Sequence, residues 1–405
     1  MRKFKYSDRD VPFMISKDVL EDVAESWAGD IAREKVMPRD AMAGIEASLG
    51  HEEVTVIRGV RRAGKTFILF HMLQKHGGIY LNFEDDRLHD FDIADFEKVL
   101  DMVRKTPILY LDEVQHVAGW EKFAHRIHRK VKLFVTGSNS KLLSSDYATS
   151  LVGRTKSFEV FPLIYPEFLR FTGKRKGRES FLNYMDTGGF PRIVISGDTL
   201  LAGEYLDRII YRDILGSENL KHPEALKTLA LYLLSNVGKE FSFRTLKEVS
   251  GIGHENTVKD YLGLLRNAYL IGMMNRYDPS LKVQESYGKK VYAMDTAFIS
   301  LGKRRERDMG RVLENMVFLH LKQKGHDIFY GKNGREVDFI VCKGLNPIKI
   351  VNVSLEIIDK KTLQRELESL HYFQEKIKVP AELVSLYPCL VPEDIEFHLA
   401  HRYLG

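Results

Sequence analysis

From His51 to about Phe161, short β-branched and aliphatic runs alternate with longer stretches that are apolar at every third or fourth position. This alternation predicts a parallel sheet with helical crossovers, since a strand covered on both faces is apolar throughout whereas a surface helix carries one apolar stripe. Strands are expected at Val54–Arg58, Ile79–Phe83, Ile108–Leu111, Leu133–Thr136 and Ser157–Val160, and a helix over Phe67–Lys75. The more polar first 50 residues predict helices at Lys17–Arg33 and Pro38–Leu49. Pro162 and Pro166 end the alternation, and a helix-rich stretch runs to about Leu220, broken by the Gly188-Gly189 turn and Pro191.

The pattern changes again at Pro223. Helices over Ala225–Asn236, Arg244–Val249 and Asn256–Ala268 follow, the last two joined by the turn Ser250–Gly253, which is helix-turn-helix spacing. Strands Leu270–Arg276 and Lys289–Ala293 flank the polar loop DPSLKVQESYG, read as a wing. From Arg311 onward the order is a helix (Leu313–Lys324), a hairpin (Ile328–Tyr330 with Glu336–Cys342), a strand (Ile348–Ser354), a helix (Lys361–Glu375) and a strand (Glu382–Leu386). The chain thus reads as five segments: a helical lead-in over 1–50, an α/β core over 51–161, a helical segment over 162–222, a winged helix over 223–300 and an α/β domain over 301–405.

Composition changes little in this picture. With 44% hydrophobic and 29% charged residues, the 405-residue chain has the make-up of a multidomain globular protein. The two cysteines, Cys342 and Cys389, have no metal-type spacing and form no disulfide framework, which suits a reducing cytoplasm. The N-terminus lacks an apolar signal core, and no stretch approaches the roughly 18 consecutive apolar residues of a membrane span. A net charge of +5 and a pI near 8.8 are compatible with a nucleic-acid partner without requiring one.

The chemistry concentrates at the first strand–helix junction. Gly59 to Thr66, GVRRAGKT, matches G-x-x-x-x-G-K-[ST] at every fixed position. In that loop glycines let successive backbone N–H groups turn toward a polyphosphate, Lys65 reaches the β- and γ-phosphates, and the Thr66 hydroxyl ligates Mg²⁺. Gly59, Arg62, Ala63, Gly64, Lys65, Thr66 and Phe67 are the expected ATP-binding residues. Ile108–Glu113, ILYLDE, supplies the partner strand: Asp112 would hold the hydrated metal, and Glu113 would orient and deprotonate the attacking water. An adjacent Asp-Glu pair argues for hydrolysis, because the second carboxylate has little to do in a passive site. The next strand ends in Thr136-Gly-Ser-Asn139, placing Ser138 or Asn139 beside the metal strand. Arg154, before the last strand, could reach a γ-phosphate in its own chain or a neighbour's.

Taken together, GVRRAGKT, YLNFEDDRL, LDEVQHVAGWE, FVTGSNSKLL, LVGRTKSFEVFPLIYPEF, GGFP and YRDIL resemble the prokaryotic ATPases of the AAA+ superfamily that carry a C-terminal region of the DUF4143 type. The resemblance spans nearly the whole chain. It implies a P-loop AAA+ core with a parallel sheet, a helical lid over 162–222, a winged-helix domain and a C-terminal restriction-endonuclease-like α/β domain. It also implies sensor-1 function at Asn139 and an arginine finger at Arg154.

Two parts of the C-terminal half bear on partners. In the winged helix, Arg244, Asn256, Lys259, Lys289 and Lys290 are candidate DNA contacts, with Glu248, Glu255 and Asp260 diluting the patch. The last domain resembles the PD-(D/E)xK nuclease fold, with Glu314 as its helix carboxylate and Asp338 as its strand aspartate. Where Glu-x-Lys is due, the chain reads Asn352-Val353-Ser354, so one ligand and the lysine are missing, and Lys332 or Lys349 would have to migrate into the role. The expectation is a cytoplasmic ATPase with ATP and Mg²⁺ as cofactors, acting on DNA, with a homo-oligomer or partner protein in play. The alternatives are a nucleotide-gated binding protein with negligible turnover and an ATP-dependent endonuclease.

Overall fold

The computed structural model describes residues 14–103, 107–137, 151, 153–216, 220–302, 308–357 and 359–405. The chain divides into two compact units. One comprises Met1–Gly59 with Gly64–Val160, the other Val60–Ala63 with Phe161–Gly405.

The first unit is a five-stranded, wholly parallel sheet in the order β2-β3-β4-β1-β5. Its strands are β1 (Val54–Arg58), β2 (Ile79–Asn82), β3 (Ile108–Asp112), β4 (Lys132–Gly137) and β5 (Thr155–Glu159). The central strands β1, β3 and β4 are buried along most of their length, as parallel strands between helical layers must be. Helices α1 (Lys17–Arg33), α2 (Lys65–His76), α3 (Phe96–Val103) and α4 (Trp120–Ile127) cover it. The lead-in is part of this layer: Leu20 and Val23 on α1 are fully buried in the core, and the Trp27 indole N–H donates to Asp85 Oδ2 at 2.8 Å.

The second unit contains an eight-stranded mixed sheet in the order β13-β12-β11-β10-β9-β7-β8-β6. Helices α5 (Leu201–Arg208), followed directly by a π-helical turn (Ile209–Ile214), and α6 (Pro223–Leu234) precede β6 (Glu240–Phe241). Helices α7 (Phe243–Ser250) and α8 (Glu255–Asn267) flank the glycine turn, and β7 (Ile271–Arg276) and β8 (Lys289–Ala293) form an antiparallel pair. The polar loop between them, read as an open wing, contains a short helix, Leu281–Ser286. Helix α9 (Met309–Gln323) leads into β9 (Asp327–Asn333), β10 (Arg335–Lys343) and β11 (Asn346–Ser354), and α10 (Lys360–Ile377) crosses to β12 (Ala381–Ser385). A last strand, β13 (Ile395–Leu399), is not among the strands expected from the sequence. β7 pairs in parallel with β9 at Asn275↔Phe329 and Arg276↔Tyr330, so strands read as belonging to two successive domains share one sheet.

Candidate functional site

The P-loop leaves β1 and enters α2, as its spacing requires. Gly59 has φ 148°, and a Cβ there would lie 2.0 Å from the Val160 carbonyl oxygen, so only glycine fits. Gly64, at φ 97°, caps α2 in a left-handed conformation. Lys65 is 4% exposed, and its Nζ donates to the Gly59 carbonyl at 2.9 Å, back across the loop. Ala63 is buried and its N–H closes a turn onto the Val60 carbonyl at 3.2 Å. Phe67, expected at the nucleotide, is 46% exposed on the first turn of α2, its ring tilted against that of Phe70.

Asp112 ends β3 with no exposed surface, and three hydroxyls converge on its carboxylate. Tyr80 Oη donates to Oδ2 at 2.7 Å, Thr136 Oγ1 donates to Oδ1, and the Thr66 hydroxyl forms the third hydrogen bond. Burial, then the neighbouring Glu113 charge, push the Asp112 carboxyl above the usual carboxylate range, while the three hydroxyls pull it back. Because Thr66 and Asp112 are already hydrogen-bonded, a hydroxyl and a carboxylate oxygen stand close enough to share one hard cation, and an all-oxygen set suits Mg²⁺. Glu113 takes φ 53°, unusual outside glycine, and its N–H donates to Thr136 Oγ1 at 3.0 Å. Its side chain is 8% exposed, with Oε2 accepting from Gln115 Nε2 at 2.5 Å. Sequence reasoning singled out Asp112 and Glu113 and missed Tyr80. A tyrosine in an apolar strand reads as core until the register pairs Tyr80 with Tyr110 and Asn82 with Asp112.

Asn139 and Ser138 lie outside the described residues. Arg154 stands just before β5, whose Thr155 pairs with Val54 at the start of β1. It is therefore at the opposite end of the parallel strands from Gly59 and Asp112, roughly 16 Å away along five residue steps at ~3.3 Å each. A contact with the nucleotide of its own chain does not fit this placement.

In the second unit, Arg61 is 7% exposed and its Nη1 pairs with Asp213 Oδ1 at 3.1 Å, on the π-helical turn. Arg62, at φ 71°, lies over the Tyr205 ring at 5.7 Å, and burial lowers its pKa. Of the expected DNA contacts, Asn256 and Lys259 are exposed on α8, with Lys259 Nζ 5.0 Å from the Phe243 ring. Arg244 pairs with Glu248 at 3.1 Å and Lys289 with Glu285 at 2.7 Å. Lys290 is not on the surface at all: it is 1% exposed and faces carboxylates.

Those carboxylates are the expected nuclease-like ones. Glu314 on α9 accepts from Tyr292 Oη at 2.8 Å and from Arg311 Nη1 at 2.8 Å. Asp338 sits where β10 shifts register against β9, and its Oδ2 accepts from the Val353 N–H at 2.8 Å. Burial first, and Glu314 next, push the Asp338 carboxyl up to about 7, against the opposing pull of Lys290. Asn352 is spent on neighbours: its Oδ1 accepts from the Asp338 N–H at 3.1 Å and its Nδ2 donates to Glu366 at 2.8 Å. Ser354 Oγ donates to the Glu356 carbonyl at 3.3 Å. Lys332 pairs with Glu240 and Lys349 with Glu382, so neither has moved to the centre.

A five-stranded parallel sheet whose P-loop faces a buried strand-end Asp-Glu pair defines a P-loop ATPase-like AAA domain. The family comparison agrees, an AAA domain model matching residues 51–169. The chain belongs to the same family as the uncharacterized protein MJ1544 of Methanocaldococcus jannaschii, with 34% identity over 391 residues that cover 89% of this chain and 86% of that one. An uncharacterized protein of Haemophilus influenzae is 31% identical over 357 residues, 80% of this chain and 87% of that one. Residues 178–305 match a domain of unknown function, DUF8612, which differs from the DUF4143-type region the resemblance implied. Among solved structures, the Walker-type ATPase PABY2304 of Pyrococcus abyssi overlaps 66% of this chain and 95% of that one, at 13% identity and a TM-score of 0.46. No helix among the described residues is long and apolar enough to cross a membrane.

Proposed function

We propose that the protein binds ATP with Mg²⁺ and hydrolyses it, and that turnover drives a conformational switch acting on DNA. The observation that carries the reading is the Thr136 hydroxyl, which bonds both the Asp112 carboxylate and the Glu113 backbone and so fixes the two acidic residues as one unit. Thr66 and Asp112 are the residues that would hold the ion. When bound, it neutralises charge on the β- and γ-phosphates.

Lys65 exchanges its bond to the Gly59 carbonyl for a phosphate oxygen, at little cost because both partners are oxygens. Glu113 orients the attacking water: Gln115 holds Oε2, which leaves Oε1 to take the proton as the water oxygen bonds to the γ-phosphorus and ADP leaves. Arg154 acts on the nucleotide of a second copy, a reading supported by its place at the far end of the strands. Asn256 and Lys259, exposed at the start of α8, and Arg244 provide the DNA contacts. The segment from Met309 to Ser385, in the order α-β-β-β-α-β, is a nuclease-like domain. Two free cysteines suit a cytoplasmic setting.

The test is ATP turnover by the parent and by Glu113→Gln, with and without single- and double-stranded DNA across a salt series. Turnover lost in Glu113→Gln, together with DNA stimulation that fades with salt, is the expected result. Equal turnover in the two proteins would remove Glu113 as the base.

A further inference from the structure

A centre in the second unit, buried at Lys290 and Glu314 and opening to solvent at Glu336, joins three carboxylates to one ammonium. Glu314 comes from α9, Glu336 and Asp338 from β10, and Lys290 from β8, a strand that precedes the nuclease-like segment. Lys290 Nζ lies 2.7 Å from Glu336 Oε1, 3.5 Å from Glu314 Oε1 and 3.9 Å from Asp338 Oδ1, with its side chain 2% exposed. The Tyr330 ring lies 5.4 Å from the same nitrogen.

A nuclease-like centre implies a divalent cation between the helix glutamate and the strand aspartate, and the residues present do not fit one. Glu314 has both oxygens engaged, by Tyr292 and Arg311, and Asp338 Oδ2 is held by a backbone N–H. Asn352, at the third ligand position, has its carbonyl oxygen on the Asp338 N–H. Among the described residues, the only trio of potential ligand side chains whose ligand atoms lie within 4.8 Å of one another is Glu382, Glu396 and His398, and there Lys349 already bonds both Glu382 oxygens. A divalent ion also demands several oxygens at 2.0 to 2.6 Å, whereas Lys290 Nζ meets its carboxylates as ion pairs at 2.7 to 3.9 Å.

We propose that the Lys290 ammonium takes the place of the divalent cation at this centre, making it a metal-free junction that ties β8 to α9 and β10 and does not cleave phosphodiesters. The inference rests on the nuclease-like reading for the position of the displaced ion. The lysine missing from the usual strand position is thus answered from another strand, in a different role: it meets the carboxylates themselves and blocks the point where metal would bind.

The experiment is Mn²⁺ binding, followed by electron paramagnetic resonance and by thermal melting, on the nucleotide-free full chain. The proteins compared are the parent, Asp338→Asn, Lys290→Ala and Lys290→Ala/Asp338→Asn. Lys290→Ala takes the cation away from Glu336 Oε1 and Asp338 Oδ1, the oxygens that Tyr292, Arg311 and the backbone do not hold, and is expected to gain a weak Mn²⁺ site on them and to melt higher with Mn²⁺. The double variant should lose that site by at least the roughly tenfold that even an outer-shell partner is worth. The parent and Asp338→Asn should bind Mn²⁺ alike, a comparison that holds even if Lys290→Ala does not fold. Parent protein that binds Mn²⁺ at a site removed by Asp338→Asn overturns the proposal, as does folded Lys290→Ala that gains no site. The readout is metal and not ATP turnover, so a failed ATPase reading leaves this result intact.

Discussion

Thr136 Oγ1 accepts the backbone N–H of Glu113 at 3.0 Å while its own proton goes to Asp112. One hydroxyl therefore sets both the carboxylate that would meet the ion and the left-handed backbone that would aim Glu113, the proposed base. Thr136→Val keeps the β-branched shape and deletes only these bonds. We expect kcat for ATP to fall about 100-fold, the cost of a misplacement of order 1 Å, with KM little changed. Steady-state ATPase assays, with circular dichroism to confirm folding, check this.

Glu113→Gln keeps the bulk and the partner Gln115 but cannot take a proton. Loss of a positioned general base lowers kcat by about 10²- to 10⁴-fold. Nucleotide affinity, read with a fluorescent ATP analogue, should remain, whereas Lys65→Ala should lose it.

Arg154 at the far end of β5 gives an expectation that needs two copies of the chain. Arg154→Ala should lose about 10³-fold or more in turnover if it serves a neighbour's γ-phosphate. Mixed with Glu113→Gln, which is also inactive, it should recover part of the activity, because some pairings then combine an intact base with an intact arginine. A mixture no more active than its components would exclude the arrangement.

Arg61 and Asp213 are each nearly buried, so cutting one away takes a close opposite charge from the other. Asp213→Ala should lower the melting midpoint, by the equivalent of about 3–5 kcal/mol if the buried pair behaves as others do. Arg61→Met/Asp213→Leu should recover most of the loss, and differential scanning calorimetry on the four proteins of the cycle separates the coupling from the single effects.

Asp338 offers a pH signature. Its carboxyl is raised from 3.8 to about 7 by burial and by Glu314, so the folded chain binds more protons than the unfolded one between those values. Stability from this group is complete below about pH 4 and declines as pH rises toward 7. Asp338→Asn cannot titrate and should flatten that part of the melting profile.

The strands of the first unit were legible because a parallel sheet leaves long apolar runs, and β1 matches its expected bounds residue for residue. Asp112 and Glu113 were legible because the P-loop demands an acidic strand end. What the sequence could not show depends on register. Tyr80 reaches Asp112 only across the β2–β3 pairing, and Lys290 reads as a basic wing residue until β8 is laid beside β7 and α9. The extra strand β13, IEFHL, alternates apolar and polar residues throughout but is only five residues long, and the helix Leu281–Ser286 hides in a polar loop.

The boundary between the two compact units cuts through the P-loop, since Val60–Ala63 group with the residues after Phe161. A fragment ending at Val160 would carry all the signature residues from Gly59 to Thr66 and still lack Asp213, the acid that meets Arg61. Cutting the chain where the first unit's sheet ends therefore removes the acid that Arg61 meets.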